Sequence, residues 1–247
     1  MIGSQLADPG VGTGVANTSK GRRPAKAKVA HVKVILCSSA KGGSAKTTTT
    51  RCLASLAARG GLRVATVDLD PQQTLTRWWH RRPDSLPTIM HYDGIPLSEA
   101  GTAVAEIGAS GDYNALFVDT PPGIEQEASA LKAIIRRSDL VLIPTTDGGE
   151  DLESVSEWMA LVRREERPAF FLLCLTDREL SSLGEAKLYL ADKGRICPHD
   201  VRRSQAIKRS YFDGRGAADL TGKLGERAAV DYQAVWAFVR LELGLEG

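Results

Sequence analysis

A chain of 247 residues, 43% of them hydrophobic, is long enough to fill one α/β core; 32 basic against 30 acidic residues leave a net charge of only +2, so any nucleic-acid contact has to come from a local patch. Cys37, Cys52, Cys174 and Cys197 are scattered without a C-x-x-C pair and the four histidines do not cluster near them, which excludes a disulfide framework, a zinc site and a Cys-ligated iron–sulfur cluster. The longest apolar run, "AFFLLCL", is too short to span a bilayer and the first residues lack the apolar stretch of a signal peptide, so the expectation is a soluble, cytoplasmic protein.

Residues 1–30 are rich in Gly, Ala and Pro and end in the basic stretch "KGRRPAKAK". They carry too little apolar surface to offset the entropy of ordering, which predicts a disordered arm. The arm serves either as a solvated tail or as a contact for an anionic polymer. From residue 31 onward, "VKVILCS" (32–38), "RVATVDL" (63–69), "YNALFVDT" (113–120), "DLVLIPT" (139–145) and "AFFLLCLT" (169–176) read as buried strands. Between them, "TTTTRCLASLAARGG" puts Leu53, Leu56 and Ala57 on one face and stops at Gly60 and Gly61; further helices fit 73–82, 97–108, 125–137, 149–166, 180–192 and 226–243. Strand and helix in alternation predict a doubly wound, mainly parallel sheet with helices on both faces, one domain over 31–247.

In such a sheet, right-handed crossovers bring the carboxyl ends of the strands to one edge, where ligands bind. The loop after the first strand, Asp68 and Asp70 after the second, and Asp119 after a later one therefore converge. "GGSAKTT", opening a helix, offers backbone N–H groups and the positive end of the helix dipole to an anion; Lys46 reaches outer phosphates, the Thr47 hydroxyl suits Mg²⁺, and Asp119 is placed to hold the metal directly or through water. The spacing departs from G-x-x-x-x-G-K-[ST], because Ala40 and Ala45 stand at the glycine places and a second lysine, Lys41, precedes Gly42.

That arrangement, Lys41-Gly42-Gly43-Ser44-Ala45-Lys46-Thr47-Thr48, resembles the deviant Walker A motif of the ParA/MinD family of P-loop ATPases, K-G-G-x-x-K-[ST]. "VATVDLDPQQTLTRWW" (64–79) is similar to the family's D-x-D-P-Q segment, "LFVDTPPG" (116–123) to its Walker B segment, and "VLIPTTDGGEDLES" (141–154) and "PHDVRRSQAIKRSYFDG" (198–214) follow in the expected order, so the likeness spans roughly 31–243 and favours the ParA branch. The resemblance implies ATP with Mg²⁺ as ligands. It makes Lys46 the lysine acting in its own subunit and Lys41 the one acting across an ATP-dependent homodimer. Asp70 orients the attacking water, and Asp68 and Asp119 sit near the metal. It also implies a ParB-like adaptor that stimulates hydrolysis, adenine contacts near "DRE" (177–179), and no membrane partner.

Two basic stretches need weighing. "RWWHRR" (77–82) is either a stacking platform for nucleic acid or, the reading preferred, a helix packing Trp78 or Trp79 on the core. "DVRRSQAIKRSYF" gathers Arg202, Arg203, Lys208 and Arg209; on a helix, Arg202 and Arg209 share a face and form a stripe that neutralises phosphates without reading bases. Family likeness adds Arg202 and Arg227 as contacts to non-specific double-stranded DNA of the nucleoid. The expectation is a DNA-partitioning ATPase. A MinD-like membrane-cycling ATPase and a metabolic P-loop phosphotransferase stand as alternatives, disfavoured by Glu242 and Glu246 near the C-terminus and by the second lysine respectively.

Overall fold

A computed structural model describes residues 31–177 and 179–245, excepting the side chains of 125 and 126; the N-terminal arm, Arg178, Glu246 and Gly247 lie outside the described residues. In chain order the elements are β1 (Lys33–Cys37), α1 (Lys46–Arg59), β2 (Val64–Asp68), α2 (Thr74–His80), β3 (Ile89–Tyr92), α3 (Leu97–Ala109), β4 (Ala115–Asp119), α4 (Ala128–Arg137), β5 (Leu140–Thr145), α5 (Gly149–Arg164), β6 (Ala169–Thr176), α6 (Ser182–Lys193), β7 (Val201–Arg202), α7 (Gln205–Ser210) and α8 (Gly222–Leu243). Short 3-10 turns at Ile124–Glu127 and Ala217–Asp219 precede α4 and α8.

The seven strands form one sheet in the order β3-β2-β4-β1-β5-β6-β7, and every pairing is parallel. Strands buried on both faces read as continuous apolar runs, which is why β1, β4, β5 and β6 are legible in the sequence. Alternate residues serve opposite faces: Val34 and Leu36 of β1 join the core under α3–α6, while Ile35 and Cys37 join the core under α1, α2 and α8. All four cysteines are buried free thiols. Trp78 and Trp79 are both buried in the second core, with indole N–H groups donating to the Arg215 and Ile89 carbonyls, so "RWWHRR" is a packed helix end.

Three details differ from the sequence reading. β3 and β7 are strands the apolar pattern does not announce, the first because His91 interrupts a four-residue run, the second because two residues cannot display a period. α8 starts at Gly222, a turn earlier than expected. The basic stripe is not one helix: Arg202 ends β7, and only Gln205–Ser210 is helical, with the Ser204 hydroxyl accepting from the Ile207 N–H as its cap.

β1 is central, and the chain lays later strands to one side and then the other. The loop after β1 thus lies at the switch point of the sheet, the crevice where open α/β folds receive ligands.

Candidate nucleotide site and basic groove

The loop from Ser38 to Lys46 must turn a strand into a helix while keeping its amides pointed inward. Two residues make the turn in left-handed backbone, Gly43 at φ +80° and Ala45 at φ +72°. Ala45 carries a β-carbon there, a conformation costing an L-residue about 1–2 kcal/mol. The difficulty introduced by alanine at this place is therefore in the backbone torsion. Ala45 is also the N-cap of α1 and supplies no side-chain bond, so the first-turn N–H groups of a 14-residue helix face the loop without a capping side chain. Nothing lies within 4 Å of where a Gly43 β-carbon would stand, and the nearest atom to Gly42's is Pro122 Cβ at 3.9 Å. An uncapped helix start over an open glycine turn suits a polyphosphate.

Lys46 is buried, and its ammonium donates to the Lys41 carbonyl at 2.7 Å, where the Ser44 hydroxyl also donates at 3.3 Å. Thr48 follows, half-buried in the first turn of α1. Lys41 itself leans the other way. Its Nζ lies 3.4 Å from Glu150 and 3.5 Å from Asp151, both in the first turn of α5. Glu150 is 95% exposed, so solvent and salt screen the contact and leave it worth little, and Lys41 can leave it readily.

The Thr47 hydroxyl donates to Asp119 Oδ2 at 2.6 Å, and Thr50 reaches Oδ1 at 3.4 Å. Asp119 has no exposed surface; burial pushes its carboxyl up to about 8, against the pull of the Thr47 hydroxyl and the Lys46 charge. A hydroxyl and a carboxylate in contact beneath a phosphate loop are the hard oxygen donors that Mg²⁺ takes, and the site fits that ion. Asp68 lies opposite Asp119 in the β2–β4 register. Burial raises its pKa, while the N–H and hydroxyl of Thr76 and the N–H of Asp70 counteract the rise. Those bonds, all near 2.9–3.0 Å, make Asp68 the anchor of α2 and of the turn carrying Asp70. Asp70 is half-buried, and its own Oδ1 closes the turn on the Gln72 N–H at 2.9 Å.

The basic residues gather farther along the same edge. Arg202, Arg203 and Arg209 meet Arg227 from α8 around a groove of about 590 Å³ with Leu224 on its wall; Leu224 is 80% exposed. Lys208 is exposed but not part of this lining. Arg202 is committed elsewhere: its guanidinium makes a two-pronged pair with buried Asp231 at 2.8 and 3.0 Å, and its N–H donates to the same carboxylate. Arg203, Arg209 and Arg227 are exposed. Beneath the groove, buried Arg51 of α1 donates to the Ile207 and Arg215 carbonyls and to the Ser210 hydroxyl. A guanidinium taken from water needs such partners, and here they tie the phosphate helix to α7.

The fold thus brings together Lys41 to Thr48, Asp68, Asp70 and Asp119 at one place and the arginines at another. Sequence reasoning misses Thr50, Thr76, Glu150, Asp151, Asp231 and Arg51. A hydroxyl or a carboxylate whose partner sits on another element leaves no local pattern, and Arg51, on the opposite side of α1 from Leu53, Leu56 and Ala57, reads from sequence as an ordinary exposed arginine.

Solved structures of several proteins share the fold. MinD in the MinC:MinD cell division complex of Aquifex aeolicus matches at 17% identity with a TM-score of 0.71, covering 87% of this chain and 98% of that one. A Borrelia burgdorferi protein described as a putative plasmid partition protein, bound to AMPPNP, matches at 17% and 0.67, covering 85% and 99%. An ATP complex of a McdA variant from Cyanothece matches at 20% and 0.63, covering 88% and 98%. No curated protein sequence matches the chain. Residues 35–216 match the model of one family, a stretch that holds the loop, all three strand-end carboxylates and α7, and on that match the chain belongs to the CobQ/CobB/MinD/ParA nucleotide binding domain family.

Proposed function

We propose that the protein is a partitioning ATPase of the ParA kind, which binds ATP, pairs with a second copy and coats DNA without regard to sequence. The observation that carries the choice is the groove of Arg203, Arg209 and Arg227, three exposed cations from two regions of the chain with no carboxylate on the wall except the one already paired to Arg202. Such cations neutralise phosphates and release counterions, and they read no bases. The Borrelia relative's description as a plasmid partition protein supports the same reading.

In this reading the α1 amides and Lys46 hold the phosphates, and Lys46 leaves the Lys41 carbonyl to do so. Thr47 and Asp119 hold Mg²⁺, which supplies charge neutralisation for the phosphate oxygens. Lys41 exchanges Glu150 and Asp151 for the nucleotide of the partner subunit. Asp70 orients the attacking water for in-line displacement, so catalysis is mostly positioning and charge. A ParB-like adaptor on the cargo stimulates hydrolysis and releases the DNA.

The MinD-like reading of the sequence makes a membrane surface the competing partner; no helix among the described residues is long and apolar enough to cross a membrane. Affinity for plasmid DNA and for anionic vesicles, measured across a salt series with ATP, with ADP and without nucleotide, separates the two. ATP-enhanced, salt-sensitive binding to DNA of any sequence is expected. Binding to vesicles and not to DNA would overturn the proposal.

A further inference from the structure

His91 lies in β3, separated from β1 and its phosphate loop by β2 and β4, and has no exposed surface. A histidine in such a place is usually a satisfied core residue, and its ring does stack on Trp79 with centroids 5.2 Å apart. Its hydrogen bonds lead somewhere, however. Nδ1 is 2.8 Å from the Thr66 hydroxyl and Nε2 is 3.0 Å from the Thr76 hydroxyl. Thr76 in turn is 2.9 Å from Asp68 Oδ2, and Asp68 Oδ1 accepts the N–H of Asp70 at 3.0 Å.

Proton counting fixes the direction of this chain. Each threonine has one hydroxyl proton. With Asp68 ionised, Thr76 donates to it and must accept from His91, so Nε2 carries the imidazole proton; Nδ1 then accepts from Thr66, whose hydroxyl stands 2.8 Å from it and 3.2 Å from its other acceptor, the Met90 carbonyl. Every donor in the row Thr66, His91, Thr76, Asp68 points the same way, and the row ends on a carboxylate, where the bond is strongest. Burial keeps the ring neutral, pushing its pKa down to about 3, so the imidazole brings a single proton to this row. An apolar residue at 91 would leave two buried hydroxyls to rearrange and would take away the donor that orients the Thr76 hydroxyl toward Asp68, leaving that carboxylate held by the N–H groups of Thr76 and Asp70 alone.

We infer that His91 is a positioning residue for hydrolysis: it fixes the Thr76 hydroxyl as a donor to Asp68, and that third bond, added to the two backbone bonds on the carboxylate, steadies the turn that aims Asp70. This rests on the reading of Asp70 as the residue that orients water. A misaimed water lowers turnover without touching a phosphate contact, because none of the four groups belongs to the loop.

The test is ATP turnover at saturating Mg²⁺ for parent, His91→Leu, His91→Gln, Thr76→Val and the His91→Leu/Thr76→Val double variant. His91→Leu should lower kcat about tenfold with KM for ATP within about twofold. Glutamine, which keeps a nitrogen donor within reach of Thr76, should restore at least half of the parent rate. The double variant should fall no further than Thr76→Val alone, since both cut one chain. If His91→Leu does not fold, Thr76→Val leaves the ring in place and cuts the same link. A parental kcat in either single variant, a loss that appears only in KM, or additive losses in the double variant overturns the inference. Asp70→Ala separates the two levels: parental turnover there removes the reading of Asp70 itself, while slow turnover there beside a fast His91→Leu removes only the role of His91.

Discussion

The phosphate edge and the basic groove occupy the same side of the sheet, yet they are built in opposite ways. The first is made from short runs, residues 41–48, 68–70 and 119, each in a strand end, the loop that follows it or the first turn of the next helix, so chain direction alone delivers them to one point. The groove is made from the end of β7, from α7 and from α8, and no single run contains it. In the first, the polar groups are engaged with neighbours in the site: Lys46 on a carbonyl, Thr47 on Asp119, Asp70 on Asp68. In the second, one arginine is spent on structure and three remain facing solvent. Ligand chemistry that needs fixed distances is packed; chemistry that needs only charge is left loose.

The sharpest break in that comparison is Lys46→Ala. Removing a buried cation from a phosphate cradle should weaken ATP by at least about 100-fold, roughly 3 kcal/mol, and leave nucleotide-free DNA binding unchanged. Calorimetric titration with ATP and Mg²⁺ measures it, and near-parental affinity would dissolve the phosphate-loop assignment.

The groove should respond additively instead. Replacing Arg203, Arg209 and Arg227 with Gln should flatten the dependence of log affinity on log salt by about 0.9 for each lost phosphate contact. Arg202→Ala is the contrast. It leaves Asp231 without its partner and should lower the melting temperature more than it changes the salt slope. Thermal unfolding and a DNA salt series on the four single variants would show this, and an Arg202 variant of parental stability with the largest slope change would reverse the division drawn above.

A smaller effect concerns Asp119. Its folded pKa, raised to about 8, lies above the ordinary carboxyl value, so this group favours the empty fold most below pH about 4 and that contribution is lost as the pH rises toward 8. Asp119→Asn removes the buried charge while the amide can still accept from Thr47. The empty variant should melt higher than the parent by about 2–4 °C at pH 8, a gain of about 1 kcal/mol that shrinks toward pH 5, while Mg²⁺-dependent nucleotide binding is lost. The smallest effect is Ala45→Gly, which trades left-handed strain for unfolded-chain entropy and should stabilise by about 0.5 kcal/mol. Denaturant unfolding measures it; destabilisation would show that the loop tolerates alanine without strain.

How much of this is readable from the sequence follows the same division. The central strands announce themselves because β1, β4, β5 and β6 are buried on both faces, and the convergence of Lys46, Asp68 and Asp119 follows from parallel topology alone. β3 is hidden by His91, a polar residue whose partners Thr66 and Thr76 lie 25 and 15 residues away. The arginine stripe comes out differently because helical spacing does not run across Ser204, the residue that caps α7 and therefore starts it. Arg202 cannot be known as paired until α8 carries Asp231 beside it.

Arg51 has a consequence for how such a molecule can be altered. Its N–H groups are satisfied by carbonyls and a hydroxyl belonging to residues 207–215, so the helix that follows the phosphate loop and the segment bearing the basic residues are one piece of solid matter. They cannot be exchanged as modules. Two of the three acceptors are main-chain carbonyls, so a chimera that changes the course of the chain over 205–216, more than one that changes its residue types, would strand a guanidinium in the interior unless position 51 were changed with it.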